Sequence, residues 1–325
     1  MSRKQCRSFS AEQKVAIAGV QLEHHGLAHA PLAHGTRFSS KRKKEVMTRS
    51  NITRETRRAS LERRLLDVAR FVSRPFRTSG AAQLQRNITR EVKRIAEVNQ
   101  ADFPPHVVLP ENFGRAMPER VVELLLARLL YEPGTKVLDV GHANAMQCHL
   151  DLIKALPSPR DITGIDIAEP GYDASAYYRD SILGDIADTG VESNWFHTIW
   201  CISALEHFGM DNSGYTGEFS MDSSLPAVAL REMLRILKPE GQILVTVPFG
   251  RYEDNEWFIN YDSEHLQSLL KVARPQSTIH ELYFRHTFGS GWTPAAAEEL
   301  RYVGYSDQAN HGAGALAAVI IVKNK

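Results

Sequence analysis

Lys136-Val137-Leu138-Asp139-Val140-Gly141-His142-Ala143-Asn144-Ala145 sets a short apolar run against an Asp-Val-Gly ending, with small residues after it. Such a run predicts a parallel β-strand feeding a tight turn and then a helix. Gly141 suits a turn where backbone approaches a ligand closely or takes a positive φ. An acid at the strand's end, Asp139, beside a small-residue turn suits a polar cofactor at the carboxyl edge of an open sheet.

The segments that follow repeat the pattern. Asp161 to Ile167 reads as a second strand, one helix-sized crossover later, and ends in Asp166. An acid there can accept hydrogen bonds from both hydroxyls of a ribose, although a capping aspartate has the same signature. Ile182-Leu183-Gly184-Asp185-Ile186-Ala187-Asp188 is a third unit, and Trp195 to Ile202 a fourth strand. A helix over 226–237 leads through Leu237-Lys238-Pro239-Glu240-Gly241 to a fifth strand, Gln242 to Val247. A short helix is expected over 262–271, and two more strands over 278–286 and 315–322. The fold class is therefore α/β. Dinucleotide binding is disfavoured, because no Gly-x-Gly-x-x-Gly follows the first strand.

Residues 136–145 resemble the first motif of the class I S-adenosylmethionine-dependent methyltransferases, and 237–241 resemble that family's Leu-Lys-Pro-Gly-Gly turn. The family's loop usually carries two or three glycines; here Ala143 and Ala145 stand at the later positions. The resemblance covers about 118–325. It implies a Rossmann-like, seven-stranded sheet closed by an antiparallel hairpin of the last two strands. It also implies S-adenosylmethionine as cofactor, with Asp139 and Gly141 at its methionine end. Asp166 would hold the ribose and Asp185 the adenine amino group, with Ile167 and Ile186 in the adenine's apolar wall.

Ser203-Ala204-Leu205-Glu206-His207-Phe208-Gly209 follows the fourth strand and resembles the Glu-His of many small-molecule methyltransferases, including some acting on sugars. A histidine near its ordinary pKa can take a proton from a hydroxyl or an ammonium, which makes His207 a candidate base. Glu206 would orient it or pair with a cationic substrate. The competing reading is a structural histidine beside a helix-capping glutamate. Residues 209–224 form a long polar loop in which Asp211, Glu218 and Asp222 are placed to receive an amine. Their spacing lacks the pattern of a calcium loop, and no metal is assigned. Trp257, Phe258 and Tyr261 supply apolar walls, with a core role expected for at least one of them.

Charge is divided unevenly. Residues 37–94 hold 18 Lys or Arg against 5 Asp or Glu, a net of +13 in a chain whose total is +1. That split fits a nucleic-acid surface, or an acidic pocket balanced by a basic outer segment. Amphipathic helices are expected over 51–73 and around Leu84, Ile88, Val92 and Ile95, without interleaved aromatics for stacking bases. The expected organisation is a disordered tail over 1–46, a basic helical segment or lid over 47–105, and the methyltransferase domain over 106–325. Cys6, Cys148 and Cys201 form no spaced pair, and the sequence has no membrane-length apolar run, so a cytoplasmic protein is expected.

The expected activity is methyl transfer to an amine or hydroxyl of a small natural product, an amino sugar or aminoglycoside before others. The substrate would be cationic, nucleic acid and membrane would not be partners, and a homodimer is compatible with the sequence. RNA or protein methylation through the basic segment is the alternative, and a domain of this fold without catalysis is a third.

Overall fold

The computed structural model describes residues 79–99, 107–158, 160–216, 221–308 and 312–325. The expected tail, the helix over 51–73, the proline pair at 104–105 and Glu218 lie outside those residues. Helix α1 (Ser79–Asn99) is followed by α2 (Arg120–Leu129), β1 (Lys136–Val140), α3 (Gln147–Ala155), β2 (Asp161–Asp166) and β3 (Asp180–Leu183). Then come β4 (Phe196–Ile202), α4 (Leu225–Ile236), β5 (Leu237–Pro248), α5 (Ser263–Leu270), β6 (Ser277–Thr287), β7 (Gly291–Pro294) and β8 (Ala315–Lys323).

The eight strands form one mixed sheet in the order β3-β2-β1-β4-β5-β8-β6-β7. β1 to β5 are mutually parallel, while β8 runs antiparallel to both β5 and β6. This is a doubly wound, Rossmann-like α/β fold with an added N-terminal helix. Strand order reverses between β1 and β4, so the crevice at their carboxyl ends is where such a sheet accommodates a ligand.

The central strands read as continuous apolar runs because both faces are covered. Val137, Leu138, Asp139 and Val140 of β1 are all buried, as are residues 315–321 of β8. On one face α1, α2 and α3 enclose Ile88, Val92, Leu125, Ile153, Trp200 and Trp292. On the other, α4 and α5 cover Leu138, Ile199, Leu230, Met233, Val245 and Leu266. Burying each such side chain contributes about 1.5–3 kcal/mol.

Seven strands were expected in the sheet, and eight are present in it among the described residues. The added edge strand β7 is short and ends in Pro294, a poor strand signal. It is held by distant chain: Trp292 N–H donates to the Phe113 carbonyl at 2.8 Å, and its indole Nε1–H to the Met117 carbonyl at 3.0 Å. The Lys238-Pro239-Glu240-Gly241 turn is a bulge inside β5: Phe196 faces Leu237 and Thr198 faces Gln242. Among the described residues, no helix is long and apolar enough to cross a membrane.

Candidate functional site

Gly141 takes φ +83°, and a Cβ there would lie 2.7 Å from the Ala204 Cβ, so the turn admits only glycine. A single 3₁₀ turn, His142–Asn144, follows. Ala145 keeps φ at −55°, and Ala143 is not among the positive-φ residues, so neither alanine needs the freedom of the glycine it stands for. Asp166 grips this loop. Its Oδ2 accepts the Ala143 N–H at 2.8 Å and its Oδ1 the Ala168 N–H at 2.9 Å. Each oxygen keeps a further lone pair, and the residue is half-buried.

Asp139 lies deeper. It is 1 % exposed, and its Oδ2 accepts from the Tyr178 hydroxyl at 2.7 Å and pairs with His149 Nε2 at 3.0 Å. Burial opposes its charge, but His149 and Tyr178 outweigh that and hold the carboxyl below its usual range. It therefore braces the loop from beneath. Beside it the His142 ring bonds Tyr172 through Nδ1 at 3.0 Å and Ser181 through Nε2 at 3.1 Å.

At the ends of β2 and β3, Ile167 is 44 % and Leu183 59 % exposed. Asp166 and Leu183 are register partners, so both exposed apolar residues stand at the same edge of the sheet as Asp166. Asp185 is exposed, with Oδ1 held by the Ala187 N–H at 2.8 Å, while Ile186 is buried. Leu183 had no sequence signal beyond lying on the strand.

Beyond β4, Ser203 takes φ +44°. Its hydroxyl donates to Glu123 Oε1 at 2.6 Å, and the Thr246 hydroxyl donates to the same oxygen at 2.8 Å. Arg120 Nη1 lies 3.2 Å from Glu123 Oε2. Sequence reasoning missed Arg120 and Glu123. The available signal was a glutamate inside the apolar run Val121-Val122-Glu123-Leu124-Leu125-Leu126.

Glu206 is 3 % exposed, and burial pushes its carboxyl well above the ordinary range. The orientation of His207 comes from elsewhere: its ring stacks on Trp257 at 4.8 Å and 29°, and Nδ1 bonds the Trp257 carbonyl at 2.8 Å. A carbonyl can only accept, so Nδ1 carries the proton and Nε2 the lone pair. Burial pushes the His207 pKa down to about 4, against the Trp257 bond, which raises it. Where the sequence led to a base near its ordinary pKa, burial shifts His207 toward its neutral form.

The acidic loop is less open than its composition indicated. Asp211 is 8 % exposed and its Oδ1 accepts the Ser213 N–H at 3.0 Å. Asp222 is exposed, and its Oδ1 accepts from the Ser224 N–H at 2.9 Å and hydroxyl at 2.7 Å just ahead of α4. Trp257 is half-buried against His207, and Tyr261 is 5 % exposed, taking the expected core role by bridging to Phe249.

Residues 138–245 match a family model described as a methyltransferase domain. That stretch is similar to methyltransferase domains, and the sheet around it has their class I, Rossmann-like fold. The chain's methyl donor is S-adenosylmethionine, and the edge residues fit that molecule. The exposed Ile167–Leu183 pair beside the Asp185 carboxylate suits an adenine ring and its amino group. The free lone pairs of Asp166 suit ribose hydroxyls, and the Gly141 turn leaves room a Cβ would fill. No curated protein matches the chain. Among solved structures, similar ones include the Burkholderia thailandensis 1,6-didemethyltoxoflavin-N1-methyltransferase, at 14 % identity and TM-score 0.41, covering 75 % of this chain and 89 % of that one. The Bacillus subtilis YcgJ protein is 15 % identical at TM-score 0.41, covering 63 % and 99 %. A possible histamine N-methyltransferase of Thermotoga maritima is 14 % identical at 0.40, covering 74 % and 99 %. Scores this low bear on no assignment of substrate.

Proposed function

We propose that the protein transfers a methyl group to a hydroxyl or amine of a small natural product, an amino sugar or aminoglycoside being the substrate class to test first. When bound, S-adenosylmethionine supplies a methyl group already activated by a sulfonium, so alignment and proton removal are left to the chain. Asp166, Asp185, Ile167 and the Gly141 turn would hold the nucleoside and loop end. Trp257 would wall the acceptor, and Asp211 would face its amino group.

The observation that carries the reading is the fixed His207 ring at the lip of β4. Its Nε2 lone pair is unprotonated near neutral pH, and the Trp257 carbonyl and ring hold it from turning. A base with a pKa of about 4 is too weak to strip a proton from an ammonium. It suffices for a hydroxyl, whose oxygen becomes a strongly acidic oxonium as it gains the methyl. The geometry therefore favours O-methylation of an amino sugar, and an amine acceptor would have to arrive unprotonated.

His207→Ala should cut turnover by about 10²–10⁴-fold while cofactor affinity and melting temperature stay near wild type. The assay is transfer of labelled methyl to a panel of amino sugars and their neutral hydroxyl analogues. A stable, fully active His207→Ala protein would remove the base from the mechanism.

A further inference from the structure

Beneath the lip of β4, three carboxyl groups and one guanidinium come together apart from the residues assigned above to the cofactor. Glu119 precedes α2, Arg120 and Glu123 lie in its first turn, and Glu206 follows β4. Three of the four have internal partners. Glu119 Oε2 accepts the Ala313 N–H at 2.9 Å. Glu123 takes the Ser203 and Thr246 hydroxyls on one oxygen and sits 3.2 Å from Arg120 on the other. Among the described residues Glu206 Oε2 is buried with no hydrogen-bond partner, as are Glu123 Oε2 and Arg120 Nε; those two groups face each other as an ion pair, whereas no ion pair compensates Glu206 Oε2.

A buried acceptor without a donor costs about 1–3 kcal/mol. An oxygen in that state beside a cofactor-binding turn reads as a vacancy for a ligand's N–H groups. An ammonium, with three N–H donors and a positive charge, is the group complementary to such an oxygen. A metal ion is the poorer occupant, since no three His, Cys, Asp or Glu side chains among the described residues are arranged to hold one.

We propose that Glu206 is the receptor for an ammonium group of a bound ligand, with Arg120 and Glu123 as positioning residues that keep the neighbouring negative charge compensated. The proposal rests on the methyltransferase reading, because it shares that cleft, but it concerns a different group from the His207 base. Groups facing Glu206 are Glu119, Arg120 and Glu123 from α2 and its entry, Cys201 of β4, and Tyr261 ahead of α5; His207 is its chain neighbour. Burial, reinforced by Glu123 and Glu119, raises the Glu206 carboxyl well above its ordinary range and so favours its protonated form in the free protein. The balance is then simple. The ligand's ammonium enters with its three N–H bonds intact, the O–H bond of Glu206 breaks, its electron pair stays on the carboxylate, and one proton passes to solvent.

Such an ammonium could come from the methionine end of the cofactor or from the acceptor. Calorimetry on the full chain at pH 7, in buffers of differing ionisation enthalpy, separates the two. The probes are S-adenosylhomocysteine, which has the ammonium, 5′-methylthioadenosine, which lacks it, and glucosamine added to the S-adenosylhomocysteine complex. If the cofactor supplies the group, S-adenosylhomocysteine releases up to about one proton and methylthioadenosine releases none. If the acceptor supplies it, release appears only with glucosamine. In either case Glu206→Gln should abolish release and weaken the ammonium-bearing probe by about 10- to 100-fold, leaving methylthioadenosine binding unchanged. Proton counting on the wild type needs no variant to fold. No proton release from any probe, with methylthioadenosine still bound, would overturn the receptor and leave the methyltransferase reading standing. If neither nucleoside binds, both readings fall.

Discussion

Neighbouring residues at the end of β4 have their ionisation displaced in opposite senses by the same burial. Glu206 is pushed up, together with Glu119, which burial and the charge of Glu123 raise to about 7. His207 is pushed down to about 4, and His142 and His286 are also lowered by burial. The signs fix the pH profile of stability. A raised acid gives the folded state more bound protons than the unfolded chain above about pH 4.5, so its contribution is lost as pH rises through 7. A lowered histidine gives the folded state fewer, so stability falls as pH drops from about 6.5 toward 4. The free protein should be most stable near neutral pH or just below. Its melting temperature should decline toward pH 8.5 and pH 4.5, and Glu119→Gln should flatten the alkaline limb. An alkaline limb unchanged in Glu119→Gln would show that this carboxyl is not the titrating group. At this scale the sequence revealed strand-end acids, because a strand followed by a small-residue turn fixes where they stand. It could not reveal which way a ring or carboxyl is displaced, since Trp257, Glu123 and Arg120 come from distant segments.

His142 follows Gly141 in the first loop, and the strand beside it is adapted to its ring. Gly164 in the middle of β2 has no side chain where the His142 ring sits; an added Cβ would lie 2.6 Å from His142 Cδ2. The ring cannot easily move, being bonded to Tyr172 and Ser181 and packed 4.8 Å from the Tyr178 ring. Gly164→Ala should therefore destabilise by about 1–3 kcal/mol, the ordinary cost of overpacking. His142→Ala added to it should recover part of that loss, because the two sites share one space. Urea melts of the two single variants and the double variant measure the coupling; additive losses would mean that ring and strand are independent. The central elements were legible because continuous apolar runs and their spacing dictate buried parallel strands. β7 was not, because its four residues carry no strand signal; besides pairing with β6 they are anchored through Trp292 to the carbonyls of Phe113 and Met117. The helix anticipated around 84–95 forms within α1, and its apolar stripe, Ile88, Val92 and Ile95, is fully buried.

Over the whole molecule, the question is what the basic half of the charge distribution is for. Residues 37–94 carry a net +13, and the part of this segment in α1 exposes Arg86, Arg90, Lys93 and Arg94. An exposed row of cations can hold phosphates, which is the case for an RNA substrate. Against it, the side chains of α1 partly engage one another: Arg94 pairs with Glu91 at 2.8 Å, and Arg86 donates to Gln83 at 2.9 Å. No aromatic residue between 81 and 99 offers a face for a base to stack on. If the acceptor is a small molecule, the segment balances the acidic remainder of the chain and takes no part in recognition. Excess RNA at about 150 mM salt should then leave methyl transfer to an amino sugar unchanged. Labelled RNA and duplex DNA should bind more weakly than the micromolar range that ordinary non-specific phosphate binding reaches. The opposite result would be tight binding that falls steeply as salt is raised, because each neutralised phosphate adds close to one unit to the logarithmic slope. Binding of that kind, with inhibition of small-molecule methylation by RNA, would transfer the substrate assignment from the lip of β4 to the basic face of α1.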